Sequence, residues 1–159
     1  MGKQPVGALW SAVVLSTLMA GHSARAADLC ETLQPLAAQL FGAGSKFARE
    51  QRPDYCMLYT PDRKGSVYAA SSATTRSAAG QLRDLMKVRQ DGKPDPDFAI
   101  REEKGIGEFA FSMTSTSHFT LQAAGPARLV NVGVQREPAL REGDTAKGLE
   151  LGRALVSVR

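Results

Sequence analysis

The chain has 159 residues, 43% of them hydrophobic, with 20 basic and 16 acidic side chains and a formal charge of +4. The charges are interleaved, as in Arg101-Glu102-Glu103-Lys104, so no single-signed stripe exists to track a phosphate backbone and no nucleic-acid partner is expected. Two cysteines, two histidines and one tryptophan leave little material for metal or thiol chemistry, and neither a metal nor a cofactor is expected.

Residues 1–26 read as an export leader. Lys3 gives the positive start, Val6 to Met19 an apolar run with Trp10, Val13, Val14, Leu15 and Leu18, and Ala24-Arg25-Ala26 the small residues of a cleavage site. The run is about 14 residues long, short of the roughly 20 that cross a bilayer. Cleavage would leave residues 27–159 as one domain, periplasmic or secreted, not transmembrane, with 18 basic against 16 acidic residues. Cys30 follows Ala27-Asp28-Leu29, a poor context for lipid attachment, so an anchored form is not expected.

Cys30 and Cys56 are the two cysteines, and they show no C-x-x-C spacing. In an oxidising compartment such a pair predicts one structural disulfide, which would close a loop of about 27 residues and contribute roughly 3 to 4 kcal/mol.

The elements follow from residue pattern. Pro35 to Phe41 carries Leu36 and Leu40 four apart and ends at Gly42, predicting a short helix. Lys46 to Arg52 is charged and reads as irregular. Tyr55 to Tyr59 and Ser66 to Ala70 read as a hairpin about the turn Pro61-Asp62-Arg63-Lys64-Gly65. A helix capped by Thr74 or Thr75 runs to about Gln90, with Ala78, Leu82, Leu85, Met86 and Val88 near one face. After a polar loop and a short extended piece near Phe98 to Arg101, three strands are predicted at Phe109 to Thr116, Phe119 to Ala123 and Arg128 to Gln135. In the last, Val130, Val132 and Val134 alternate with Asn131 and Gly133. A final helix runs from Asp144, its expected N-cap, to Val158. The fold class expected is α+β: a single antiparallel sheet of about five strands packed by three helices, with one disulfide.

No catalytic constellation emerges. His118 is the single histidine left after cleavage and reads as a turn residue. Gly105-x-Gly107 opens a strand and not a helix, so it offers no amides to a phosphate. Glu102, Glu103 and Glu108 sit among Arg101 and Lys104 as a solvated edge, and the Ser/Thr run from Ser112 to Ser117 lacks G-x-S-x-G. The candidate ligand or partner surface is Arg76 and Arg83 on the middle helix, able to grip an anion, with Tyr55, Tyr59 and Tyr68 lining a groove.

Three features carry a family resemblance: Cys30 ahead of the helix Leu36 to Phe41, a second cysteine inside Tyr55-Cys56-Met57-Leu58-Tyr59, and the turn Gly105-Ile106-Gly107-Glu108-Phe109-Ala110. In these the chain resembles a group of small exported bacterial proteins of unknown function, best known as actinobacterial lipoproteins, whose fold is similar to PsbP-like α+β sandwiches. The resemblance spans most of residues 28–158 and implies no catalytic residues. It departs from the pattern in lacking a lipid-attachment cysteine.

The function expected is that of an exported, non-enzymatic binding or interaction protein, whose partner is an unidentified protein or small molecule of the cell envelope. Two alternatives stand beside it: a periplasmic carrier of a small apolar or anionic ligand, which needs a closed pocket, and an envelope hydrolase, which needs acid, base and nucleophile brought together from separate strands, carboxylates alone being one such mechanism.

Overall fold

The computed structural model describes residues 24–74, 78–92 and 96–157. Most of the expected leader, residues 1–23, lies outside the described residues, as do Thr75, Arg76 and Val158. In chain order the elements are α1 (Ala24–Phe41), β1 (Ala48–Arg52), β2 (Tyr55–Tyr59), β3 (Gly65–Ala73), α2 (Ala78–Asp91), β4 (Ala99–Glu102), β5 (Phe109–Thr114), β6 (His118–Ala124), β7 (Arg128–Arg136) and α3 (Asp144–Val156).

Alternation of side chains dictates the layering. Cys56 and Leu58 of β2 register with Ala69 and Val67 of β3, these with Val132 and Val134 of β7, and these with Leu121 and Phe119 of β6. Side chains two apart on a strand point the same way, so this register builds one continuous apolar face. Leu29, Leu33, Ala37 and Leu40 of α1 and Leu151, Leu155 and Val156 of α3 bury it. The opposite face carries a second, smaller core, where Ala78, Ala79 and Leu82 of α2 meet Phe109, Phe111 and Ala124. The class is therefore α+β, with three helices and one antiparallel sheet among the described residues, and Cys30 of α1 is disulfide-bonded to Cys56 of β2 across a Cα–Cα distance of 5.4 Å.

The sheet has seven strands, in the order β1-β2-β3-β7-β6-β5-β4, and not about five. The two extra strands are its edges. Ala48-Arg49-Glu50-Gln51-Arg52 and Ala99-Ile100-Arg101-Glu102 bury almost nothing, so neither shows hydrophobic alternation. Charge at an edge is what keeps free N–H and C=O groups from recruiting another chain.

Three helix expectations are corrected. The first helix begins at Ala24, well before Pro35, which sits on its exposed side. The stripe Leu29, Leu33, Ala37 and Leu40 holds the helix through a proline whose missing N–H and ring clash cost about 3 kcal/mol. Asp144 is the first residue of α3 and not its cap, which is Gly143 at φ 89°. Val88 of α2, expected near the apolar face, is 69% exposed.

Candidate functional site

Two faces of one sheet receive unequal cover. On the second face α2 packs on β5 and β6. The same face over β2, β3, β7 and the start of β6 carries no described helix, and there the register assembles three cross-strand rows. The first reads Arg52, Tyr55, Ala70, Asn131, Gln122. The second reads Glu50, Met57, Tyr68, Gly133, Thr120. The third reads Ala48, Tyr59, Ser66, Gln135, His118. From β2 to β6 the surface thus grades from aromatic to amide and hydroxyl.

Its geometry is set by Tyr68. A side chain at Gly133 would lie 2.0 Å from the Tyr68 ring, so only glycine lets that ring lie across β7. The phenol oxygen then donates to Asn131 Oδ1 at 3.4 Å, a long contact. The Tyr55 ring stands 6.1 Å away at 33° to the Tyr68 ring, within the range of favourable aromatic pairs. Guanidiniums flank the aromatic side, Arg52 at 5.9 Å from the Tyr55 ring and Arg63 at 5.1 Å from the Tyr59 ring. Burial raises the pKa of both Tyr55 and Tyr68, with Glu50 adding to the first and Tyr55 to the second. Both phenols are therefore uncharged hydroxyls throughout the physiological range.

At the β6 end of the middle row Thr120 Oγ1 is the single buried side-chain polar atom without a hydrogen-bond partner among the described residues. His118 begins β6, with Nδ1 2.8 Å from Ser117 Oγ and its amide donating to Ser115 Oγ at 3.2 Å.

Of the residues singled out in sequence, the three tyrosines converge on this face. Arg83 does not join them: it lies on α2, its guanidinium 5.0 Å from the Phe109 ring on β5, three strands away from β3. Arg76 lies outside the described residues. Asn131, Gln122, Gln135 and Thr120 were not anticipated. Their signal lies in the polar halves of the β6 and β7 alternations, but it acquires meaning only once β7 is known to sit between β3 and β6.

Clefts also lie elsewhere among the described residues. One of about 380 Å³ is lined by Arg101, Glu103, Ser112 and Thr145, where α3 stops short of β4 and β5. In it Ser112 Oγ donates to Glu103 Oε1 at 2.5 Å. Another of about 270 Å³ is lined by Lys64, Arg136, Glu137 and Arg141. Among the described residues no group of three His, Cys, Asp or Glu side chains is placed to hold a metal ion, and no helix is long and apolar enough to cross a membrane.

No protein-family model, curated protein or solved structure matches the chain.

Proposed function

We propose that the protein is an exported, non-enzymatic binding protein whose contact surface is the platform on β2, β3, β7 and β6. The observation that carries this reading is the pairing of unequal cover with composition: one half of a sheet face, outside the α2 layer, gathers all three tyrosines of the chain beside a cluster of amides. Rigid aromatic side chains give contact area at little conformational cost, and Asn and Gln add adaptable hydrogen bonds. Export is supported by the leader-like residues 1–26 and by a disulfide that an oxidising compartment would preserve. The carrier alternative has less in its support, because Leu33, Phe119 and Leu151 pack into one buried core between helices and sheet.

A photo-cross-linking amino acid in place of Met57, compared with one in place of the exposed Arg89, tests the surface. Adducts with envelope material from the first position and none from the second are expected. Adducts from the second alone would place the contact elsewhere.

The hydrolase reading has one observation in its favour, the Ser112–Glu103 hydrogen bond inside a cleft. Ser112 is only 2% exposed, so a substrate reaches its Oγ only if Glu103 swings aside. Loss of a measured hydrolysis on Ser112→Ala would establish that reading in place of the first.

A further inference from the structure

Resting on the platform as the binding surface, we propose that its ligand is an uncharged oligosaccharide of about two or three rings. Charge is the first argument. Within the rows from β2 to β6 there is no Asp, Glu, Lys or Arg, and His118 at one corner is the sole basic residue. Glu50 and Arg52, at the rim, neutralise each other at 2.8 Å. Arg63, beside the Tyr59 ring at the same rim, is exposed and keeps its water, so an uncharged ligand over Tyr55, Tyr68 and the amides settles without desolvating an ion, whereas a phosphate or uronate finds no buried cation there to meet it.

Chemistry is the second. A sugar ring presents an apolar face of C–H bonds and an edge of hydroxyls that both donate and accept. Tyr68, laid across β7 by Gly133, and Tyr55 beside it offer ring faces whose negative quadrupole attracts such C–H bonds. Asn131, Gln122 and Gln135 offer paired donors and acceptors to the hydroxyls. An aromatic strip beside an amide strip repeats, across the sheet, the two-sided character of the sugar.

Size is the third, and it argues against a folded partner or a second copy. Three strand spacings of about 4.8 Å by two steps of roughly 6.8 Å give a platform near 14 Å square, or about 200 Å². A stable protein interface needs roughly 800 Å² on each side.

Titration of the purified protein with triacetylchitotriose and with maltotriose, followed by heteronuclear NMR, tests the proposal. At least one trisaccharide should produce saturable shifts in the amides of Tyr55, Tyr68 and Asn131, and its affinity should not change with salt. Tyr55→Ala and Tyr68→Ala should each weaken binding about tenfold. Tyr68→Phe keeps the ring and should retain binding to within about twofold, and Arg89→Ala should have no effect. The same spectra report whether each variant is folded, so loss of binding is separable from loss of structure. No saturable shift with either sugar at about 10 mM overturns the proposal, as does binding that survives both alanine substitutions. A salt-sensitive response to a trimer of uronic acids alone also overturns it. Photo-cross-linking from position 57 without any sugar binding would retain the binding surface and remove the sugar. Failure of both would remove the surface itself.

Discussion

Arg136 and Asp144 stand at 8% and 4% exposure, where an unpaired ion costs several kcal/mol. The pair is made nearly complete: Arg136 Nε donates to Asp144 Oδ2 at 2.7 Å, Nη2 donates to Oδ1 at 3.0 Å and to the Leu40 carbonyl at 2.6 Å, and the Arg141 amide donates to Oδ2 at 2.8 Å. Burial by itself would raise the Asp144 pKa, but the bonds from Arg136 and Arg141 and their charges outweigh it, and the net shift is downward from 3.8. A depressed folded value means that the contribution is fully present above the ordinary carboxylate range and is lost as pH falls through the lower, folded value. Asp144→Asn should therefore cost about 3 to 5 kcal/mol in urea unfolding at neutral pH. The gap to the wild type should shrink as the pH is lowered below about 4. Thr120→Val has the opposite sign. It removes a buried hydroxyl that lacks a partner, so stability at neutral pH should be unchanged or rise by about 1 kcal/mol in the same assay. None of this was legible in sequence beyond an acid placed where a helix begins. That the acid faces an arginine eight residues earlier depends on β7 ending against the start of α3.

Elements with one buried face were the legible ones. The hairpin of β2 and β3, and strands β6 and β7, follow from aromatic content and alternation, because each has a half-exposed side to be contrasted with the buried one, whereas β5, buried on both faces from Phe109 to Ser112, follows from its aromatic content. The edges β1 and β4 have no such contrast, and in α1 the proline at position 35 masks the stripe beginning at Leu29. The disulfide was legible from cysteine count and compartment alone; what the structure adds is that it fastens α1 to β2. Cys56→Ser should lower stability by roughly 2 to 5 kcal/mol, measured by denaturant unfolding. In α3 close approach to the sheet is made through Gly148 and Gly152, and at Gly148 a methyl group would stand 2.4 Å from Cε1 of the fully buried Phe119 ring. Alanine favours a helix over glycine by about 1 kcal/mol, yet here overpacking wins. Gly148→Ala should destabilise by about 1 to 3 kcal/mol, read as a lower thermal midpoint.

At the scale of the whole molecule the strand order divides the chain into two consecutive meanders. Strands β1 to β3, backed by α1, form one; β4 to β7, backed by α3, form the other. They meet along nine register pairs from Gly65↔Arg136 to Ala73↔Arg128. The tyrosines belong to the first meander and the amides to the second, so the platform exists only where the two are joined, and a sequence read element by element could name its tyrosines without finding its other half. A chain ending at Ala127 should accordingly lack the folded signal in near-ultraviolet circular dichroism. In the intact protein the β3 and β7 amides should exchange hydrogen most slowly. Synthesis and export both run from the amino end, so β7 is the last of the described strands to emerge. Until then β3 and β6 both wait with a bare edge, one with Val67 and Ala69 uncovered and the other with Phe119 and Leu121. The interval before residue 136 appears is thus the period in which a nascent chain is open to pairing with its neighbours and most in need of a chaperone.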